Sequence, residues 1–251
     1  MALVLSEDQQ LLKDSAKSFC EQNAPISVLR RLRDSKDERG FDQQIWQQMI
    51  DLGWAGMAVP ETFGGFEFGY GGLGVVLEET GKTLLNSPLI STVLIGATAI
   101  NEIGNDVQKQ ELLPKIVAGE LLIALALDEH TTHNPLRIAT KAEKVAGGYS
   151  LSGRKTFVLD GHVADKLLVV ARSSGETTSE SGISLFLVDA HTKGVNINRT
   201  IMVDSRNSSN IQFSDVFVGE DAVLGKPGEA FTDLDRVLDI ARIGIAAEML
   251  G

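Results

Sequence analysis

Two stretches of the chain hold most of the side chains that can do chemistry. The first, Asp128-Glu129-His130-Thr131-Thr132-His133-Asn134-Pro135, gathers carboxylates, imidazoles and hydroxyls into a polar, turn-like run. The second runs from Gly147 to Ser173 and sets Tyr149, Leu151 and Phe157 among polar neighbours. A period of two reads as a strand with one buried face. Asp160-Gly161 is a strong turn pair, because glycine accepts a positive φ at no steric cost. Leu167-Leu168-Val169-Val170 then reads as a return strand buried on both faces. Most of this stretch is core. The exception is Phe157, beside the turn, whose ring can present a face to a planar ligand. His133 is either a polar contact for phosphate or substrate or an exposed loop histidine, and His130 reads as surface. The four histidines and the one cysteine show no metal-ligand spacing. Cys20 reads as a small apolar residue on a helix face.

The elements that position these groups belong to a chain of 251 residues, enough for one to two domains and a full core. The net charge of −11 argues against a nucleic-acid binder, which needs a basic face. One cysteine excludes an intramolecular disulfide and fits a reducing compartment. MALVLSEDQQLLK has no basic leader before a long apolar core, so no signal peptide is expected and the expected location is cytoplasmic. The uncharged stretch between Lys82 and Glu102 carries Asn86, Ser87, Ser91, Thr92 and Thr98. That is too polar for a membrane span and reads as a buried helix, so no membrane partner is expected.

Ser6 is placed to N-cap a first helix with Leu11, Leu12, Ser15 and Phe19 on one face. Pro25 interrupts, and the charged run Arg30 to Arg39 reads as exposed helix and loop. Phe41 to Leu52 is a second amphipathic helix with Gly53 at its end. Helices over Leu73–Leu84 and Pro88–Ile103 follow, and Asp106 caps a fifth through Leu113. Short connections point to an antiparallel bundle. At Gly119 the period changes. An apolar run, Leu121 to Leu127, precedes strands near 138–146, 149–159, 166–172, 183–189, 194–200 and 209–218. Ser173 to Ser181, rich in Ser, Thr and Gly, reads as a mobile loop. From Glu229 the helical period returns, with Phe231, Leu234, Val237, Leu238, Ala241, Ile245 and Met249 on one broad face. The expected fold class is α+β. It comprises an N-terminal α-helical bundle over 1–118, a β-barrel-like middle domain over 119–225, and the start of a C-terminal helical bundle over 226–251.

This order resembles the acyl-CoA dehydrogenase family, and several motifs carry the resemblance. Pro60-Glu61-Thr62-Phe63-Gly64-Gly65 and Leu77-Glu78-Glu79-Thr80-Gly81 are similar to its first-domain pattern. Leu112-Leu113-Pro114-Lys115-Ile116-Val117-Ala118-Gly119-Glu120 is similar to its approach to the β domain. Gly153-Arg154-Lys155-Thr156-Phe157-Val158-Leu159-Asp160-Gly161 stands where the family has G-x-K-x-W-I-T-N-G. Gly182 to Val188, Phe213-Ser214-Asp215-Val216 and Val223-Leu224-Gly225 complete the pattern. The resemblance implies an enzyme that uses FAD to convert an acyl-CoA thioester to the trans-2-enoyl-CoA and passes electrons to an electron-transfer flavoprotein. It also implies a homo- or hetero-oligomer.

The resemblance places cofactor contacts at Ala126, Leu127, Asp128, His133, Phe157, Val158 and Leu159, and substrate contacts at His133, Asp239 and Arg242. There are departures. The family's T-E-P-x-x-G-S-D run falls on Leu127 to Asn134, so its flavin-facing threonine is Leu127 and its Gly-Ser pair is Thr132-His133. Its stacking tryptophan is Phe157 and the following threonine is Leu159. Most relatives supply a glutamate base late in the C-terminal domain, expected here beyond Gly251. A minority supply it from the first helix of that domain, where this chain has Ala241. Two further readings therefore stand beside a dehydrogenase: a non-catalytic subunit paired with an active homologue, and an acyl-CoA-binding module without redox activity. The broad apolar face after Glu229 is expected to lack a partner within this chain.

Overall fold

The computed structural model describes residues 4–251. Among the described residues, six α-helices precede eight strands and a seventh helix follows them. α1 (Glu7–Asn23) begins at Ser6, whose hydroxyl accepts from Gln9 N while Gln9 Oε1 accepts from Ser6 N. That reciprocal pair satisfies two of the amide groups a helix start leaves free. α2 (Ile26–Asp34) follows Pro25, and α3 (Gln43–Asp51) is capped by the Asp42 carboxylate. α4 (Gly69–Lys82) leads to a π-helical stretch, Leu89–Ala97, which continues as α5 (Thr98–Ile103). α6 (Asp106–Val117) is capped by Asn105 rather than Asp106, and Asp106 sits in the first turn instead. A short amide side chain one residue earlier reaches the free amide groups, and the acid complements the helix dipole.

The strands are β1 (Ile123–Ala126), β2 (Lys141–Val145), β3 (Gly148–Leu159), β4 (Lys166–Arg172), β5 (Ile183–Asp189), β6 (Val195–Ile201), β7 (Asn207–Gly219) and β8 (Val223–Leu224). They form one mixed sheet in the order β6-β7-β3-β2-β4-β5-β8, with β1 parallel to β4. This corrects the barrel-like expectation: the sheet is open. Closure needs the edge strands to pair. The edges here are β6, with mostly solvent-facing positions, and the two-residue β8, and they do not meet. β3 and β4, sequential across the Asp160-Gly161 turn, are not neighbours either, because β2 lies between them.

Both faces of the sheet's centre are covered. Leu168, Val170, Leu185 and Leu187 join the large core that the helices share, while Leu167, Val169, Phe186 and Val188 fill a second core on the other face. Double burial explains why β4 and β5 read as unbroken apolar runs. The loop after β4 is tied down rather than free. The buried Arg172 guanidinium donates to the carbonyls of Leu136, Ile138, Thr177, Ser179 and Ser181.

α7 (Phe231–Leu250) crosses back over the helical block. Its Leu234, Val237, Leu238, Ala241 and Gly244 are buried. Gly244 lies against Leu94 and Leu77, and Gly81 of α4 lies against the Glu248 carbonyl. The expectation that this helix has no partner in its own chain is therefore corrected for one face. The opposite edge, Ile243, Met249 and Leu250, stays exposed.

Candidate active site

One cavity of about 250 Å³ opens where the three parts of the chain meet. The π-helical stretch contributes Ile90, Ser91 and Ile95; the end of β1 and the loop after it contribute Leu125, Leu127, Asp128 and His133; β3 contributes Thr156, Phe157 and Leu159; α7 contributes Leu238, Ala241, Arg242 and Ile245. Thr92 fixes the first part to the second. Its hydroxyl donates to Ile123 O (3.2 Å) and accepts from Ile123 N (3.0 Å).

β3 presents its residues to the cavity through a break in its pairing. The register with β7 shifts between Lys155 and Val158, and Phe157 takes φ 52°. A bulge of this kind re-aims a side chain. Phe157 is left 48% exposed while Val158, next along, is buried in the far core. The bulge is held from the loop side. Thr156 N donates to Asp128 O at 2.7 Å, and the Thr156 hydroxyl donates to His130 O at 3.2 Å.

Beneath it lies Lys155, fully buried, whose ammonium donates to Leu127 O (2.9 Å) and Glu129 Oε1 (2.7 Å). Burial pushes Lys155 down to about 8, against the pull of Glu129. For Glu129, burial pushes upward but is outweighed by Lys155 and by hydrogen bonds from Thr140, so the carboxyl is held below its ordinary range. Glu129 also accepts from Ala139 N and Thr140 N. One buried ion pair thus pins both ends of the polar run. At the cavity edge, His133 Nδ1 lies 2.9 Å from Asp128 Oδ2, and Asn134 N donates to Asp128 Oδ1 at 3.2 Å.

Of the residues singled out from sequence, Leu127, Asp128, His133, Phe157, Leu159 and Arg242 come together around the cavity. Ala126 and Val158 do not, because their side chains are buried in the core on the other sheet face. Asp239 does not line the cavity and pairs with Arg242 on the exposed side of α7. Sequence reading missed Ser91 and its neighbours on the π-helical stretch. Their signal was present as hydroxyls in an otherwise apolar helix, where they were weighed only against a membrane span.

The lining fits a flat conjugated ring such as the isoalloxazine of FAD. An exposed aromatic face is set among Leu127, Leu159 and Ile95, with backbone and carboxylate groups at one edge. It offers less to a pyrophosphate. The cavity's cation is Arg242, already paired with Asp239 and Asp235, and the His133 ring is bonded to Asp128.

Comparison with known proteins agrees with this architecture. The acyl-CoA dehydrogenase N-terminal domain matches residues 6–120 and the acyl-CoA dehydrogenase middle domain residues 125–216. The chain is 29% identical to a mitochondrial 2-methylacyl-CoA dehydrogenase of Solanum tuberosum, over 100% of this chain and 61% of that protein. It superimposes on butyryl-CoA dehydrogenase from Megasphaera elsdenii with a TM-score of 0.84 at 26% identity, covering 99% of this chain and 66% of that one. The ChsE4–ChsE5 complex of Mycobacterium tuberculosis gives 0.84 at 25% identity, covering 97% and 64%. The chain thus spans about 61% of the length of the potato relative. The expected cytoplasmic location is overturned, since the potato relative and the similar isovaleryl-CoA dehydrogenases are mitochondrial. A reducing compartment inferred from one cysteine does not single out the cytosol. From Ser6 through the β sheet, with α7 following, this chain belongs to the acyl-CoA dehydrogenase family.

Proposed function

We propose that this chain forms the flavin and acyl-CoA side of an α,β-dehydrogenase acting on an acyl-CoA thioester, with electrons leaving to an electron-transfer flavoprotein. The observation that carries the reading is the cavity itself, walled by both family domains and α7 and offering the Phe157 ring face. FAD, when bound, supplies the hydride acceptor. Phe157 and Leu159 hold its ring, and the Leu127–Asp128 backbone, locked by Lys155 and Thr156, fixes the edge against which it is oriented. Ile90, Ile95, Leu238 and Ile245 exclude water from the reacting carbons and seat an apolar acyl chain. His133 and Arg242 lie at the rim, where a CoA ester brings its polar portion. Asp128 is the carboxylate among the cavity residues, and it is engaged by His133.

A second reading has its own support. The face of α7 toward the cavity shows Leu238, Ala241 and Ile245, none of which takes a proton. A carboxylate base is what α-proton abstraction needs. A chain of this kind works as a subunit beside an active homologue, and the similarity to the ChsE4–ChsE5 complex favours that arrangement. Purification followed by flavin absorbance, calorimetry with acyl-CoA and dye-linked turnover separates the readings. Bound flavin with turnover supports the dehydrogenase. Bound acyl-CoA without turnover, and copurification with a longer homologue, supports the subunit. Protein that takes up neither flavin nor acyl-CoA overturns both.

A further inference from the structure

Where the family motif ends in Asn-Gly, this chain has Asp160-Gly161. Asp160 is buried and has φ 55°, a conformation that aspartate tolerates better than most residues. Ser91, on the π-helical stretch, donates its hydroxyl proton to Asp160 Oδ2 at 2.6 Å. Ser91 also lines the cavity. The pair therefore links the end of β3 to the helical wall at the site. The groups that face the Asp160 carboxylate are Ser91, Asn207, Arg206 and Arg199. Among the described residues no cation lies within ion-pair distance of it: Arg206 pairs with Glu248, and Arg199 donates to Asn207 and to backbone carbonyls.

A hydroxyl whose proton is held by a carboxylate meets a ligand only as an acceptor. The wall around Ser91 is otherwise apolar, with Ile90, Ile95, Leu125 and Leu159. We propose that Ser91, backed by Asp160, is a selectivity point that favours acyl groups bearing a hydroxyl remote from the thioester over their unsubstituted parents. The inference rests on the acyl-CoA reading of the cavity. Ser91 touches the ligand, and Asp160 is a positioning residue that fixes the direction of the Ser91 proton. A site built to bond a hydroxyl rejects the analogue that lacks it far better than an apolar pocket rejects a missing methylene.

The test is calorimetry on the purified full chain with ω-hydroxyacyl-CoA thioesters of increasing length, each paired with its unsubstituted parent. At the length that reaches Ser91, the hydroxylated ester binds tighter by about tenfold or more. Ser91→Ala brings the two esters level, Ser91→Thr keeps the preference, and Asp160→Gly, which keeps the positive φ and removes the acceptor of the Ser91 proton, shrinks it. Circular dichroism confirms that each variant is folded, and if Ser91→Ala is not, Asp160→Gly and Ser91→Thr decide. Equal affinities at every length, or a preference that survives Ser91→Ala, overturn the assignment while leaving acyl-CoA binding in place. If no thioester binds, the acyl-CoA reading falls, and this inference with it.

Discussion

Lys155 has no contact with solvent, and one carboxylate and one carbonyl hold its charge. Removing one partner of a buried pair strands the other, at a cost of about 3–5 kcal/mol. Lys155→Ala is therefore expected to lower stability by that amount in urea denaturation, and Lys155→Met with Glu129→Gln to lose less than the two single changes combined. Asp160 sets a pH dependence of its own. Burial raises it from its ordinary 3.8 to about 6. Its folded value lies above its unfolded one, so its contribution to stability is full below the unfolded pKa and is lost as pH rises to about 6. Asp160→Asn removes that dependence. Relative to wild type, the variant should gain about 3 kcal/mol across this window, read from urea midpoints at a series of pH values. Phe157→Ala should weaken flavin retention at small cost to folding, since the ring is half exposed; unchanged flavin absorbance would make the ring mere surface. At this scale the sequence showed residue types but not their directions. Phe157 was legible as an aromatic beside a turn. Lys155 was legible only as one residue of an ordered motif, because nothing in the pattern marks a bulge that leaves Lys155 inside and turns Phe157 out.

At the scale of elements, α4 and α7 cross so closely that glycine decides the contact. A Cβ on Gly81 would sit 2.1 Å from the Glu248 carbonyl, whereas one on Gly74 would meet Ala247 at an ordinary 3.9 Å. Gly81→Ala must push the helices apart and should cost about 1–3 kcal/mol. Gly74→Ala should gain up to about 1 kcal/mol from helix propensity. Opposite shifts in denaturation midpoint check the pair. Strand positions were legible because alternation and double burial leave a period or a run. Strand order was not, because periodicity reports faces and not partners, and β2 separates β3 from β4 without any mark in either. The π-helical stretch was hidden for a similar reason: its composition is that of a buried α-helix, and the wider turn shows only in its hydrogen bonds.

At the scale of the whole molecule, one uncovered apolar surface is the outer edge of α7. Ile243 and Leu250, seven residues apart on one helix face, form an apolar strip on an otherwise acidic protein. Exposed apolar strips of this kind favour association. Light scattering is expected to show concentration-dependent self-association, reduced by Ile243→Lys; a strict monomer at all concentrations would remove that expectation. The family was legible in ordered motifs. The shape of the β domain was not, since whether edge strands meet depends on twist and length summed over the sheet.

The cavity draws its walls from residues near 90–95, 125–159 and 238–245, which no single element connects. A ligand seated there is bound only while all three segments are docked, so partly opened forms lose it altogether. Occupancy then acts as a clasp on the entire fold. At a hundred times the dissociation constant it would add about 2.7 kcal/mol to every opening that separates the walls. Loading and global unfolding would become one event, and a melting curve would report whether the site is filled.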